Sequence, residues 1–127
     1  MACFIANKEC IAQHMNAADA PCGKASANAA ETSCFVTAAT AADRDLNHVY
    51  KVIVTTVQGD DLLNLKRAQR LWIQFRNSNC SAERALYSGG SAAPMVYYSC
   101  LEAVTRHRTV ELKTMYGWRV EKAGRQF

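Results

Sequence analysis

The sequence predicts an all-α fold, a small disulfide-stabilised bundle of three long helices preceded by short N-terminal helices. Three observations carry that expectation. Apolar residues recur at spacings of three and four over most of the chain, the period of a helix with one buried face. Only two prolines and six glycines interrupt 127 residues. The six cysteines, at positions 3, 10, 22, 34, 80 and 100, form an even set in a chain small enough to gain from crosslinks. One domain, 1–127, accounts for the whole length.

Residues 1–42 form an Ala/Cys-rich N-terminal segment with 14 of the 21 alanines but only 5 of the 26 charged residues. It has few large apolar side chains, so crosslinks substitute for core, and short helices broken near Pro21-Cys22-Gly23 are expected. A helical core spans 43–116. In its first helix, expected over about 34–57, Leu46, Val49, Tyr50, Ile53, Val54 and Val57 make one apolar stripe. The β-branched run at 52–57 is read as helix because the phase from Leu46 runs straight into it. Gln58-Gly59-Asp60-Asp61 ends that helix and offers an Asp N-cap to the next.

The second helix is expected over about 61–86, with Leu65, Ala68, Trp72 and Phe75 on its buried stripe and Lys66, Arg67, Arg70 and Arg76 on the remaining surface. Ser88-Gly89-Gly90-Ser91 then turns the chain. Ser91 is placed to cap the third helix and Pro94 to sit in its first turn. Tyr97, Cys100, Leu101, Val104, Arg108, Glu111 and Met115 carry that helix to roughly 116, with Glu102 and Arg106 spaced for an exposed i,i+4 pair. From Gly117 onward, 117–127 is expected to be a basic tail that frays.

Positions 80 and 100 are equidistant from 90, the middle of the turn, so an antiparallel hairpin brings Cys80 and Cys100 together. The hairpin argument does not reach the other four cysteines: Cys22–Cys34 ranks next, leaving Cys3–Cys10, and Cys10–Cys22 with Cys3–Cys34 competes. Paired cysteines imply an oxidising compartment. Met1-Ala2-Cys3 carries no basic region followed by an apolar one, so the expectation is a periplasmic or secreted protein whose export signal has been removed. Acylation of Cys3 is disfavoured because it orphans a thiol.

The function classes narrow mainly by exclusion. His14, His48 and His107 are scattered, no nucleophile elbow is present, and disulfides leave no thiolate, so an enzyme is not expected. No CxxC pair or zinc-finger spacing appears, so neither a metal nor a cofactor is expected. A net charge of +4 with interspersed acids and no aromatic platforms argues against nucleic acid. No stretch approaches the ~18 apolar residues of a transmembrane helix.

Four segments in order resemble a known family. Asp43, Leu46, Asn47 and Tyr50 fit D-x-x-L-N-x-x-Y. Leu65, Gln69, Arg70, Trp72, Phe75, Arg76 and Cys80 fit L-x-x-x-Q-R-x-W-x-x-[FY]-R-x-x-x-C. Gly89-Gly90-Ser91 follows, then Cys100, Thr105, Arg108 and Leu112. The chain thereby resembles the LprI-type lysozyme-inhibitor family over about 22–112, with Cys3 and Cys10 outside the pattern. The resemblance implies an exported, all-helical protein with Cys22–Cys34 and Cys80–Cys100 bridged. It also implies a protein partner, a lysozyme-like muramidase from a host or a bacterial effector, the latter in an immunity-type role.

Most motif residues read as structural: Leu46, Tyr50, Trp72 and Phe75 as core, and Gln69, Arg76, Thr105 and Arg108 as hydrogen-bonding ties between helices. The partner-binding candidates are Arg84, Tyr87, Ser88, Gly89, Gly90 and Ser91, on a turn stiffened by Cys80–Cys100. There, hydroxyls and the Gly89 and Gly90 amides are placed to satisfy the two carboxylates of a lysozyme-type cleft. The alternative is a non-catalytic cell-envelope adaptor that holds another protein through its basic helix faces.

Overall fold

The computed structural model describes residues 13–22 and 29–127. The expected Cys3–Cys10 pair lies outside these. Among the described residues every regular element is helical: a single 3-10 turn at His14–Asn16, then α1 (Ala29–Val54), α2 (Gly59–Ala85) and α3 (Ala93–Lys122). α1 begins earlier than the stripe suggests. The second half of the Ala-rich segment joins it, since alanine has the highest helix propensity and needs no buried partner.

α3 is the central element and packs against both α1 and α2. Leu46, Val49 and Ile53 of α1, Val57, Leu65 of α2, and Leu112 and Val120 of α3 form one core cluster, against which Tyr50, Leu62, Trp72 and Tyr116 pack. Phe35 of α1 joins Met95 and Val96 of α3 in a second cluster, completed by Met15 and Cys22. The pairing of early α1 with early α3, and of late α1 with late α3, makes these helices parallel, with α2 antiparallel between them in sequence. The second cluster lies at the α2–α3 turn, where residues 13–22 form a strap over the bundle.

Both described disulfides match the expected pairs. Cys80 and Cys100 are fully buried and their Cα atoms are 5.5 Å apart; those of Cys22 and Cys34 are 6.0 Å apart. The strap is held by more than its bridge. His14 Nδ1 donates to Glu83 Oε2 at 2.6 Å, Gln13 Nε2 donates to Tyr87 Oη at 2.8 Å, and Arg106 Nη1 donates to Asp19 Oδ2 at 2.9 Å.

Several local expectations need correction. α2 starts at Gly59, with Gln58 as N-cap and no side-chain cap bond. Asp60 and Asp61 therefore lie in its first turn, where carboxylates favour the positive end of the helix dipole. Ser91 does not cap α3 either: Ala92 holds that place, while Pro94 sits in the first turn as expected. Glu102 is not exposed. It is 4% accessible on the part of α3 that the strap contacts, and accepts from Arg106 Nε at 2.7 Å.

The largest difference is at the C-terminus. α3 continues through Gly117 to Lys122 because Tyr116 and Val120 still face the core. Gly124, at φ +72°, then turns the chain in the left-handed region, with the Arg125 amide donating to the Val120 carbonyl. The last residues fold back: Arg125 donates to Thr55 Oγ1 and Phe127 packs on the core cluster beneath Lys113. The basic tail is thus a docked terminus.

Candidate functional site

α2 runs past Cys80 into a connection at 86–92 that reverses the chain. Cys80–Cys100 ties the two helices six residues below Leu86, so the turn rests on a covalent base. Its backbone is internally bonded. The Tyr87 amide donates to the Arg84 carbonyl, the Ser88 amide to Ala85 and the Gly90 amide to Tyr87. Gly89 has φ +83°, a conformation that L side chains rarely adopt.

These bonds change which groups are free. The Gly90 amide, one of the two expected backbone donors, is spent inside the turn, as is the Ser88 amide. Among the described residues the Gly89 and Ser91 amides make no hydrogen bond, and both residues are exposed. Ser88 is exposed as well. Tyr87 points inward: it is half-buried against the second core cluster and its hydroxyl accepts from Gln13. Arg84 is exposed, its guanidinium carbon 5.4 Å from the Tyr97 ring centroid. Leu86, absent from the sequence-based set, is 81% accessible and gives the turn an apolar tip. It falls outside the apolar stripe of α2, and an unplaced leucine beside a glycine turn is the signal that marks it.

The remaining motif residues converge on a different task. Asp43 of α1 lies 3.5 Å from Arg76 of α2 and also accepts from Asn47 at 3.3 Å. Arg76 lies over the Trp72 ring, 5.2 Å from its centroid, and Arg108 of α3 lies 5.8 Å from the same centroid. Arg108 Nε donates to Gln69 Oε1 at 3.1 Å, both residues being buried. Thr105 is buried, and its carbonyl accepts from Thr109. Asp43, Arg76, Trp72, Arg108 and Gln69 therefore link all three helices through polar and cation–π contacts. Two motif residues of α2 take part neither in this network nor in the core. Arg70 is exposed, and Phe75, expected in the core, is 59% accessible.

Ligand-atom proximity brings His14, Glu83 and Cys100 together. The Cys100 sulfur is bonded to Cys80 and has no thiolate to offer, and His14 is hydrogen-bonded to Glu83, so the group is a latch rather than a metal centre. A surface hollow lined by Thr56, Trp118, Arg119 and Lys122 lies at the opposite end of the bundle from the turn. Among the described residues no helix is long and apolar enough to cross a membrane.

Comparison with known proteins places these features in context. The family model described as lysozyme inhibitor LprI matches residues 22–112. That interval contains both described disulfides, the interhelical network and the turn. An uncharacterised protein of Rhizobium meliloti (strain 1021), R02472, is 38% identical over 88 residues, which cover 59% of this chain and 63% of that protein's length. No solved structure matches the chain significantly.

Proposed function

The chain belongs to the LprI lysozyme-inhibitor family, and from that premise we propose that it binds and blocks a lysozyme-like peptidoglycan glycoside hydrolase outside the cytoplasm. The family's activity is inhibition, not catalysis. The observation that carries the reading onto this chain is the turn at 86–92. It is exposed, built on a buried disulfide, tipped by Leu86, and has free amides at Gly89 and Ser91.

Lysozyme-class hydrolases work with two carboxylates in a cleft, one of which must donate a proton. A stiff turn that fills the cleft with Leu86 and offers the Gly89 and Ser91 amides to those carboxylates excludes both the substrate and the attacking water. The disulfide lowers the ordering cost of that insertion. Arg84 adds a cation to the same end of the molecule. Two bridges favour an oxidising location, periplasmic or secreted. An immunity role, protecting a producer from a wall-degrading effector, is one use of the same chemistry.

The test is a titration of the oxidised protein against a panel of muramidases, c-type and bacterial effector enzymes together, read by the clearing of a cell-wall suspension. Stoichiometric inhibition of one member, reduced by Leu86→Asp and by Ser91→Trp, is the expected result. Both positions are exposed, so these variants keep the fold. Inhibition untouched by either change removes the turn from the mechanism. No inhibition of any member moves the adaptor reading to the front.

A further inference from the structure

α2 carries a second surface that the fold leaves unused. Leu63, Arg67, Leu71 and Phe75 follow one another at intervals of four and so form a continuous ridge, about 18 Å long at 1.5 Å per residue. Leu63, Leu71 and Phe75 are 64%, 56% and 59% accessible. Beside it runs a parallel row, Lys66, Arg70 and Gln74, at the same spacing. From 62 to 82 there is no acidic residue.

The charges on this face are also unpaired. Arg76, Arg106, Arg108 and Arg119 each lie within ion-pair distance of a carboxylate, whereas Lys66, Arg67 and Arg70 have no such partner among the described residues. Like charges three and four apart on a helix destabilise it. The fold gains nothing from Lys66, Arg67 and Arg70 side by side, nor from a phenylalanine in water. Phe75 and Arg70 belong to the α2 segment that carries the family resemblance, and they are the two of its motif positions that are exposed.

We propose that the Leu63–Arg67–Leu71–Phe75 ridge, with Lys66 and Arg70 beside it, is a protein-docking surface whose partner is an acidic, apolar-centred face on the inhibited hydrolase. The proposal rests on the inhibitor reading and names the kind of target: a muramidase acidic at this contact, not a strongly basic one. Charge complementarity decides among the possible occupants. A second copy of the chain brings the same three unpaired cations and is repelled. A lipid surface suits a helix whose cations flank an uninterrupted apolar face, but here Arg67 stands in the middle of the ridge. Arginine and phenylalanine are instead among the residues enriched in protein–protein interfaces.

The experiment measures binding of the oxidised protein to an acidic bacterial muramidase and to a strongly basic c-type lysozyme at two salt concentrations. It is repeated with the double variant R67E/R70E, with Phe75→Ala, and with Arg44→Glu on the exposed face of α1 as a charge control. The expected result is binding to the acidic enzyme that weakens with salt. R67E/R70E should lower affinity at least thirtyfold and Phe75→Ala about tenfold, with Arg44→Glu neutral and all melting temperatures close to the parent's. If the acidic enzyme is bound equally by the α2 variants, or only the basic enzyme is bound, the docking surface is wrong while the inhibitor reading survives. If neither enzyme is bound, the inhibitor reading falls and takes the docking surface with it. Sedimentation with phosphatidylglycerol vesicles that R67E/R70E abolishes, without an effect on muramidase binding, assigns the ridge to a membrane and overturns the proposal.

Discussion

Arg108 and Gln69, 39 residues apart, meet in the interior between α3 and α2, with Nε donating to Oε1 at 3.1 Å and each residue 7% accessible. This bond joins two helices whose interface is otherwise narrow, because α2 buries only Leu65, Gln69 and Cys80 along its length. A buried polar group that loses its partner is left unsatisfied, which costs more than the bond itself contributed. Arg108→Ala should therefore destabilise the protein by about 2–3 kcal/mol. Urea unfolding checks this, and a change below about 0.5 kcal/mol would show that water replaces the partner freely.

Trp72 and Phe75 separate core from surface on the same helix. Trp72 packs against the core cluster with Arg76 and Arg108 against its ring, while Phe75 is mostly in water. Trp72→Ala should cost about 3 kcal/mol and Phe75→Ala stay within about 0.5 kcal/mol. Equal losses in thermal melts would place Phe75 back in the core.

Cys80–Cys100 encloses a short loop, and in the chain-entropy picture such a bridge contributes about 3 kcal/mol. The double variant Cys80→Ser, Cys100→Ser should lower stability by roughly that amount and loosen the turn, seen as faster amide exchange at 86–92. Alkylation of the unreduced, unfolded protein should find none of Cys22, Cys34, Cys80 or Cys100 available.

Asp19 gives the strap a pH dependence. Its carboxyl is held below the ordinary value of 3.8, first by the hydrogen bond from Arg106 and then by that from His107. A depressed folded-state pKa means the contact stabilises fully above 3.8 and is lost as pH falls through the lower folded value. Hydrogen exchange in residues 13–22 should accordingly be unchanged between pH 7 and 5 and rise below about pH 3.8. Asp19→Asn should remove that acid step. A step of the same size in the variant would assign it to another carboxylate.

The C-terminus should matter for stability. Removing residues 125–127 takes away the Phe127 contact with the core and the Arg125 bond to Thr55. A loss of about 1–2 kcal/mol is expected from the apolar area alone. An unchanged melting temperature would return the segment to a solvated tail.

Much of this architecture is legible in the sequence because it follows from period and symmetry. Leu46, Val49 and Ile53 mark the face of α1 without ambiguity, and equal distances from position 90 pair Cys80 with Cys100. The face of α2 is harder to read. Its buried arc runs through Leu65, Gln69, Trp72, Arg76 and Cys80, and two of these are polar because they bond across the interface. A search for apolar spacing passes over Gln69 and Arg76 and substitutes Ala68 and Phe75, which lie further round the helix. The spent amides of Ser88 and Gly90 depend on the path of the turn, and the docked terminus depends on a left-handed Gly124. Neither is encoded as a hydrophobic pattern.

Both described bridges, the strap and its ionic latches all lie at the end where α2 turns into α3, while the end holding Thr55, Val57 and Phe127 is held, among the described residues, by apolar packing, the Arg125–Thr55 bond and the exposed Arg119–Asp61 pair, with no covalent crosslink. Opening should therefore be directional. Thermal fluctuation lifts the C-terminal turns of α3 away from the α1–α2 connection at that end first, and proteases gain entry there before they reach the crosslinked half. The turn at 86–92 would then keep its shape through partial unfolding that the rest of the bundle does not survive.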